Sequence, residues 1–593
     1  MQNIKKYYDV IVVGGGIAGV CAALSSARRG VKTALIQNRS VLGGNASSEI
    51  KVNINGATQN GKVPDVSETG IMMELILANK AVNPQNSIDV FCMVLWEIVN
   101  KEPLLDLYLN TQFLNAKVDK GNITEITAFQ FTSETMFTFS ATIFVDTTGD
   151  ANLAYESGAE WTIGREAKST YGELHAPEIA DEHTMGSTVM FTTKDMGKPT
   201  PFTRPEWAYE FTKEKLAGRA IKMTNHGYWW VELGGGDTKV IEDSENIRDD
   251  LFKWAFGVFD YIKNCGEYDA DNLALDWICT LPGRRESRRI LGDYVLNEND
   301  IATSHQFEDT IGYGGWTMDD HSVGGINAKG KNEQGTQWIA VPGIYTIPYR
   351  SLYSRNINNL YVGGRAMSAS HMAITSTRII ATCGVLGQAI GTAAAIAIKE
   401  NVSPREVGEK YIAKLQQQLI TDDCYLPNIE YTNSKDMLKR EDCVITASNY
   451  NENGKPDLIR NGLTRRINGD ENAWMAPLNN EAWISAEIPN AQLISRIDLK
   501  FDPDLSISLQ PTLTPKRFAL QPKELPEVLV KTFKVEAFFK DECVWQFNCE
   551  KNIQRLHQII LNTPVLCDKV KLTVQKTYGD TMARVFEMRV YQE

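Results

Sequence analysis

Tyr8–Gly19, YDVIVVGGGIAG, decides the fold. Val10–Val13 read as a buried strand, and Gly14, Gly16 and Gly19 complete a G-x-G-x-x-G turn. The first glycine permits the tight turn, the second lets the backbone approach a pyrophosphate, and the third lets the helix pack closely on the strand. The helix that follows, VCAALSSARRG, is apolar on one face and ends at Gly30, a fitting C′ residue. Its N-terminus presents free N–H groups and the positive end of the helix dipole to bound phosphate. A second strand, Lys32–Gln37, closes a βαβ unit. That context turns a common motif into a nucleotide site.

The end of the second strand departs from the usual pattern. A carboxylate normally accepts there from ribose hydroxyls. Here the residue is Gln37, whose amide oxygen accepts more weakly, with Arg39 close by to compensate. Val41–Glu49, VLGGNASSE, follows as a loop of glycines and small hydroxyl residues, suited to lie against phosphates or a ring.

Residues 65–100 carry helical spacing, and 104–146 alternate as short strands of an antiparallel sheet hung on the nucleotide fold. Ile143–Asp150, IFVDTTGD, runs from an apolar strand into a turn, which makes Gly149 and Asp150 ligand-side candidates. Residues 160–340 read as a long insertion rich in Trp, Tyr, His and Arg, suited to a polar pocket with aromatic walls. Nucleotide-fold grammar then returns. Asn359–Gly364 is a strand into a glycine turn, Arg365–Arg378 is a polar loop, and Ile379–Ile398 is an apolar helix carrying Gly384, Gly387 and Gly391. That helix has the length of a membrane span, but it is rich in Ala and Gly and contains Gln388, so a buried helix packed closely on other backbone is expected. From about 436 onward, strand-like runs separated by turns and prolines predict an antiparallel β-sandwich.

Composition narrows the function classes. At 593 residues the chain is long enough for several domains. A formal net charge of −13 argues against nucleic acid or an anionic membrane as a main partner. The ten cysteines show neither a C-x-x-C pair nor zinc spacing, so no metal site is expected and most thiols read as buried and reduced. The two lysines ahead of the first apolar run mimic a leader, but Asp9 interrupts it and the run is the nucleotide strand. The expected location is cytoplasmic, or periplasmic if a leader has been trimmed.

GGGIAGVCAAL, LGGNASSE, VDTTGDANLAYESGA, LPGRRESRRILGDYVL, YGGWTMD, IPYRSLYS and NLYVGGRAMSASHMAITSTRIIATCGVLGQAIGTAAA, in that order, resemble the FAD-dependent oxidoreductases of the glutathione-reductase-like flavin fold over roughly residues 5–400. The resemblance implies FAD as cofactor. It implies that Gly14, Gly16 and Gly19 hold the pyrophosphate, and that Gly43, Gly44 and Asn45 line the flavin side. Gly149 and Asp150 would lie near the adenosine half, and Gly364 and Arg365 would contact ribityl or phosphate. The terminal region is similar to galactose-binding or discoidin-like sandwiches, many of which bind glycans while others serve only as packing modules.

Flavin chemistry needs a group that handles a proton, and histidine suits neutral pH. His371, in the polar loop before the apolar helix, is the first candidate, and His321 and His226 follow. Arg285, Arg288, Arg350 and Arg378 are forked donors that could orient a carboxylate or a hydroxylated substrate, and Arg378 also stands within reach of the cofactor turn. No second strand–GxGxxG–helix unit follows, so electrons are expected to pass to the substrate or to a separate partner rather than to a built-in nicotinamide domain.

The expected fold is α/β: a discontinuous FAD-binding Rossmann-like domain at 1–160 and 340–400, with an inserted α+β substrate domain at 161–339. A helix and linker at 401–435 then lead to an all-β sandwich at 436–593. The expected function is hydride transfer between flavin N5 and a small polar substrate, a carbohydrate-derived alcohol. The alternatives are reduction of an unsaturated carboxylate, and a non-catalytic flavoprotein whose sandwich binds glycan.

Overall fold

A computed structural model describes residues 2–592 except 61–62, 217, 223–227, 329–333 and 479–480. The chain divides into two compact units. The first comprises residues 1–56, 87–415 and 511–518, and the second 57–86, 416–510 and 519–593.

The first unit is built on the predicted βαβ start: β1 (Gln2–Val13), α1 (Ile17–Arg28) and β2 (Thr33–Ile36). Four more strands follow before residue 150: β3 (Leu105–Tyr108), β4 (Thr111–Asp119), β5 (Asn122–Gln130) and β6 (Thr135–Asp146). β7 (Leu360–Val362) returns much later in the chain. The sheet order is β3-β2-β1-β6-β5-β4, with β7 also on β6. β1, β2, β3, β6 and β7 pair in parallel, whereas β4, β5 and β6 form an antiparallel meander. β6 serves both: residues 135–139 pair β5, and 144–146 pair β7. A strand covered on both faces needs an unbroken apolar run. Val10, Ile11 and Val12 are accordingly fully buried, and Ile11 and Val13 sit in one cluster with Phe137, Phe139, Phe144 and Leu360.

The polar stretch before the apolar helix is not all loop. It folds into α2 (His371–Thr377), capped by the Ser370 side chain, which accepts from the Ala373 N–H. α3 (Ile380–Glu400) follows and is almost wholly buried. Its glycines let it cross α1 at backbone contact: a Cβ at Gly387 would collide with the Ala18 carbonyl, and one at Gly391 with that of Ala22. Ser25 and Thr392 hydroxyls bond across the same crossing at 2.8 Å. Residues 161–339 contribute short two- and three-stranded sheets and one long helix, Ser244–Asn264, around an aromatic cluster that includes Phe191, Phe259 and Trp230. The expected helix and linker at 401–435 hold two helices, Pro404–Lys410 and Ile412–Thr421.

The second unit is dominated by antiparallel strands: β8 (Val444–Ala447), β9 (Trp474–Pro477), β10 (Ala482–Phe501), β11 (Val530–Phe539), β12 (Glu542–Cys549), β13 (Leu556–Thr577) and β14 (Met582–Gln592). Their order is β9-β14-β10-β13-β11-β12, with β8 on β10. β10 and β13 are long strands, 20 and 22 residues, interrupted only by register shifts. Bulges of this kind bend a strand between layers without ending it. The helix Ile71–Val82 belongs to this unit, and a buried ion network ties it together: Lys500 meets Glu587 at 2.9 Å, and Arg555 meets Asp423 at 2.8 Å.

Candidate active site

The glycine turn at the C-terminal end of β1 has the shape that the sequence demanded. Gly14 sits at φ +107°, and a Cβ there would strike the Thr147 backbone. A Cβ at Gly19 would overlap the Gly14 carbonyl, so neither position accepts another residue. Gly16 differs. It caps α1 without a side-chain bond, and the nearest atom to a Cβ there is Gly44 Cα at 4.0 Å. Protein atoms thus leave open the one glycine at which a ligand backbone approach is required. The second glycine loop lies against the first: Gly43 N–H donates to the Gly15 carbonyl at 2.9 Å, with Gly43 at φ +112° and Gly44 at φ +57°. Asn45 donates to the Arg284 carbonyl at 3.0 Å and faces the cavity described below.

Gln37 is engaged by the protein itself. It is buried, its amide oxygen accepts from the Gly15 N–H at 2.8 Å, and its amide nitrogen donates to the Val41 carbonyl at 3.3 Å. Both polar ends thus hold the glycine loop. Arg39 is exposed beyond the end of β2.

At the end of β6, Thr147 Oγ1 donates to the Gly14 carbonyl at 2.7 Å and so locks the two turns together. Gly149, at φ +86°, lies beneath Arg365. Asp150 pairs with Arg284, accepts from Ser287 Oγ at 2.7 Å, and stands 3.7 Å from Arg365. Burial pushes its carboxyl up, but the surrounding guanidinium groups outweigh that and hold it below the ordinary range. Gly364, at φ +69°, abuts Ala18 of α1. Arg365 is partly buried, burial pulls its guanidinium down, and its Nη1, itself out of water, has no hydrogen-bond partner. An orphaned buried donor beside a glycine cradle fits a phosphate- or carbonyl-rich ligand. The chain therefore fits a dinucleotide along Gly14–Gly19, Gly43–Asn45 and Gly364–Arg365.

Beyond this groove lies a cavity of about 660 Å³. Trp229, Trp316 and Trp338 wall it together with Tyr228 and Trp230, and Arg284, Arg285, Arg365 and Arg378 line it. His321, the last residue of the strand Met318–His321, is at its wall and almost fully buried. Its Nδ1 lies 2.6 Å from Glu232 Oε2, and its Nε2 lies 3.4 Å from Asp319 Oδ1. Glu232 is buried, which pushes its carboxyl up, yet Arg285 and His321 outweigh this and keep it ionised. Asp319 is held below the usual range in the same way: burial is overcome by His321, Arg378 and the Thr336 hydroxyl. Arg285 reaches Glu232 at 3.4 Å and donates to the Trp229 carbonyl at 2.9 Å. Arg378 donates to Asp319 Oδ2 at 3.2 Å, while its buried Nε has no partner.

Of the considered histidines that lie among the described residues, His321 is placed at the cavity and His371 is not. His371 is the first residue of α2, buried, with Nδ1 3.0 Å from Glu286 and Nε2 3.2 Å from Asp320, and its backbone N–H donates to Glu166. Burial would lower its pKa, but the two carboxylates prevail and push it up to about 10. The two carboxylates clamp the His371 ring outside the cavity lining. His226 lies outside the described residues. Arg288 stacks 3.9 Å over the Tyr155 ring, and Arg350 pairs with Asp309 at 3.0 Å, so both act away from the cavity.

One part of the wall had no warning in the sequence. Pro511–Phe518, placed by reading within the β-sandwich, belongs to the first unit, and Leu513, Thr514 and Arg517 line the cavity. Asn53 Oδ1 accepts from Thr512 Oγ1 and from the Leu513 N–H, each at 3.0 Å, and so anchors the segment. Among the described residues, no group of three or more His, Cys, Asp or Glu is arranged to hold a metal.

Comparison with known proteins agrees with this geometry. The family model described as FAD dependent oxidoreductase matches residues 9–419. Among solved structures, a geranylgeranyl bacteriochlorophyll reductase-like protein from Thermoplasma acidophilum is 12% identical, covering 71% of this chain and 88% of its own, at a TM-score of 0.34. The lectin domain of lectinolysin complexed with Lewis B antigen is 10% identical over 27% of this chain and 99% of its own, with a TM-score of 0.20. The family 32 carbohydrate-binding module of C. perfringens NanJ in complex with galactose is 13% identical over 25% and 93%, with a TM-score of 0.19. Scores this low carry no argument about function. The family match covers more than half of the chain, so the chain belongs to the FAD dependent oxidoreductases and is an FAD-dependent enzyme.

Proposed function

We propose that the enzyme transfers a hydride between FAD and a small polar, hydroxylated substrate, a carbohydrate-derived alcohol, bound in the 660 Å³ cavity. The observation that carries this reading is the pairing of His321 with buried Glu232 at the cavity wall. When bound, FAD supplies the site that takes up or releases the hydride. The chain's own residues handle the rest. Glu232 accepts from His321 Nδ1–H, which fixes the ring and leaves Nε2 to exchange the substrate hydroxyl proton. Asp319 stabilises the imidazolium that results. Arg285 and Arg378 orient the polar substrate, and the tryptophans cover its apolar face and exclude water. The supporting assignment of cofactor contacts is Gly14, Gly16 and Gly19 with Gly43, Gly44, Asn45, Gly149, Gly364 and Arg365, with Asp150 positioning Arg365.

Anaerobic mixing of the holoenzyme with hexoses, polyols and sugar acids tests this reading. Bleaching of the flavin bands by one member supports it. A flavin that no hydroxylated compound bleaches, but that in reduced form is reoxidised by an unsaturated carboxylate, replaces it with reduction of that carboxylate's double bond.

For the second unit, we propose that a glycan binds an open groove of about 580 Å³ between β12 and β13. Trp545 and Phe547 offer ring faces there beside Gln546, His557 and Asn562. Aromatic faces next to amide donors suit a sugar ring. Retention on a glycan array that is lost in Trp545→Ala supports this, and unchanged retention contradicts it.

A further inference from the structure

Among the described residues, seven cationic side chains line the cavity, against the single carboxylate of Asp319. Glu232 and Asp150 stand directly behind the wall, and Asp150 is shared by two arginines. Three carboxylates do not balance seven cations, and the two phosphates of FAD do not cancel the excess. Arg517 is a lining guanidinium that no acid among the described residues partners. Its Nη1 donates to the neutral Asn55 side chain at 2.7 Å, and among the described residues no carboxylate lies within ion-pair distance. Its pKa is pulled down by burial, with no acid opposing the pull. A guanidinium taken partly out of water without an acid is costly unless a ligand anion completes it.

Its surroundings point the same way. The Asn55 carbonyl accepts from Ala381 N–H, in the first turn of α3, at 3.1 Å. Asn55 therefore ties Arg517 to the start of a 21-residue helix whose N-cap, Ile379, makes no side-chain cap. Ile379, Ile380, Arg378 and Arg517 share the cavity wall, and Arg378 keeps a buried, partnerless Nε. Two guanidinium groups beside an uncapped helix start form a receptor for an oxyanion. The tryptophan walls opposite suit the apolar face of a sugar ring.

Building on the hydride-transfer reading above, we propose that the substrate is an acidic sugar whose oxyanion is gripped by Arg517 with Arg378. Arg517 is the specificity residue, delivered by a segment that leaves the sandwich sequence to join the flavin unit.

The test is binding, read from the flavin bands and from tryptophan fluorescence of the holoenzyme. Glucuronate, galacturonate and mannuronate are titrated against glucose, galactose and mannose, with the matching hexose 6-phosphates as a third arm. At least one acidic sugar binds about tenfold or more tightly than its neutral hexose. Arg517→Gln abolishes that preference at unchanged FAD occupancy, and the tighter of the uronate and 6-phosphate arms identifies the oxyanion. Should Arg517→Gln lose FAD or fail to fold, Arg517→Lys and Asn55→Ala must each reduce the preference. The proposal is overturned if no acidic sugar saturates, if hexoses bind as tightly, or if the preference survives the substitutions. Neutral sugars that bleach the flavin without any acid preference sink this proposal and leave the hydride-transfer reading standing. Acid preference without bleaching by any compound does the reverse.

Discussion

His321 Nδ1 lies 2.6 Å from Glu232 Oε2, and neither side chain is more than a few per cent exposed. Such a contact fixes the ring's tautomer as well as its angle. Glu232→Gln should therefore leave FAD binding intact but lower the rate of flavin reduction by ~10²–10⁴-fold, with the pH dependence of that rate displaced. Stopped-flow reduction across pH 5–9 measures both. An unchanged pH profile removes the dyad from the chemistry.

The glycine turn separates two kinds of substitution. Gly14→Ala and Gly19→Ala force a Cβ into Thr147 and into the Gly14 carbonyl, and should destabilise the apoprotein by at least ~1–3 kcal/mol. Gly16→Ala meets no protein atom closer than 4.0 Å. It should leave the apoprotein melting temperature unchanged while lowering FAD affinity. Differential scanning calorimetry with and without FAD distinguishes the two outcomes, and a Gly16→Ala protein that keeps full affinity contradicts the proposed pyrophosphate path.

The crossing of α1 and α3 is equally demanding. Gly387→Ala and Gly391→Ala each place a methyl group on a carbonyl oxygen of α1. Overpacking of this kind costs ~1–3 kcal/mol. A lowered melting temperature in both variants is expected, and neutral behaviour would show that the helices separate more easily than their contact suggests.

His371 gives the fold a pH signature. Its folded-state pKa is pushed up to about 10 by Glu286 and Asp320 against the effect of burial. Arg289 also touches Glu286, Glu166 accepts from the His371 backbone N–H, and Arg165 faces Asp320. A group whose pKa rises on folding contributes stability that is complete below its unfolded value of about 6.5. That contribution is lost as pH climbs toward about 10. The urea midpoint should therefore fall between about pH 7 and pH 10, and His371→Gln, though less stable at pH 6, should show a flatter decline. An equal slope in both proteins contradicts the clamp.

Legibility in the sequence followed locality. The βαβ start, the strand into Gly149, the strand into Gly364 and the buried glycine helix all declare themselves through short-range patterns, because each depends on backbone conformations that only particular residues permit. His371 and His321 could not be ranked that way. Which histidine meets the cavity depends on Glu232, Glu286 and Asp320, brought together from segments some 50 to 90 residues distant. The role of Gln37 in the glycine loop was not legible because its partner is a backbone N–H, which leaves no trace in residue type. Arg517 was invisible for a third reason: the segment 511–518 interrupts a run of strands, and only its contacts with Asn53 and Asn55 reveal where it belongs.

The most direct test of the account is single-turnover, anaerobic flavin reduction in the wild type and in His321→Asn, each fully loaded with FAD, using the compound that bleaches the wild type. The account predicts that His321→Asn binds FAD and that compound normally but reduces the flavin at least ~100-fold more slowly. Reduction at the wild-type rate would contradict it.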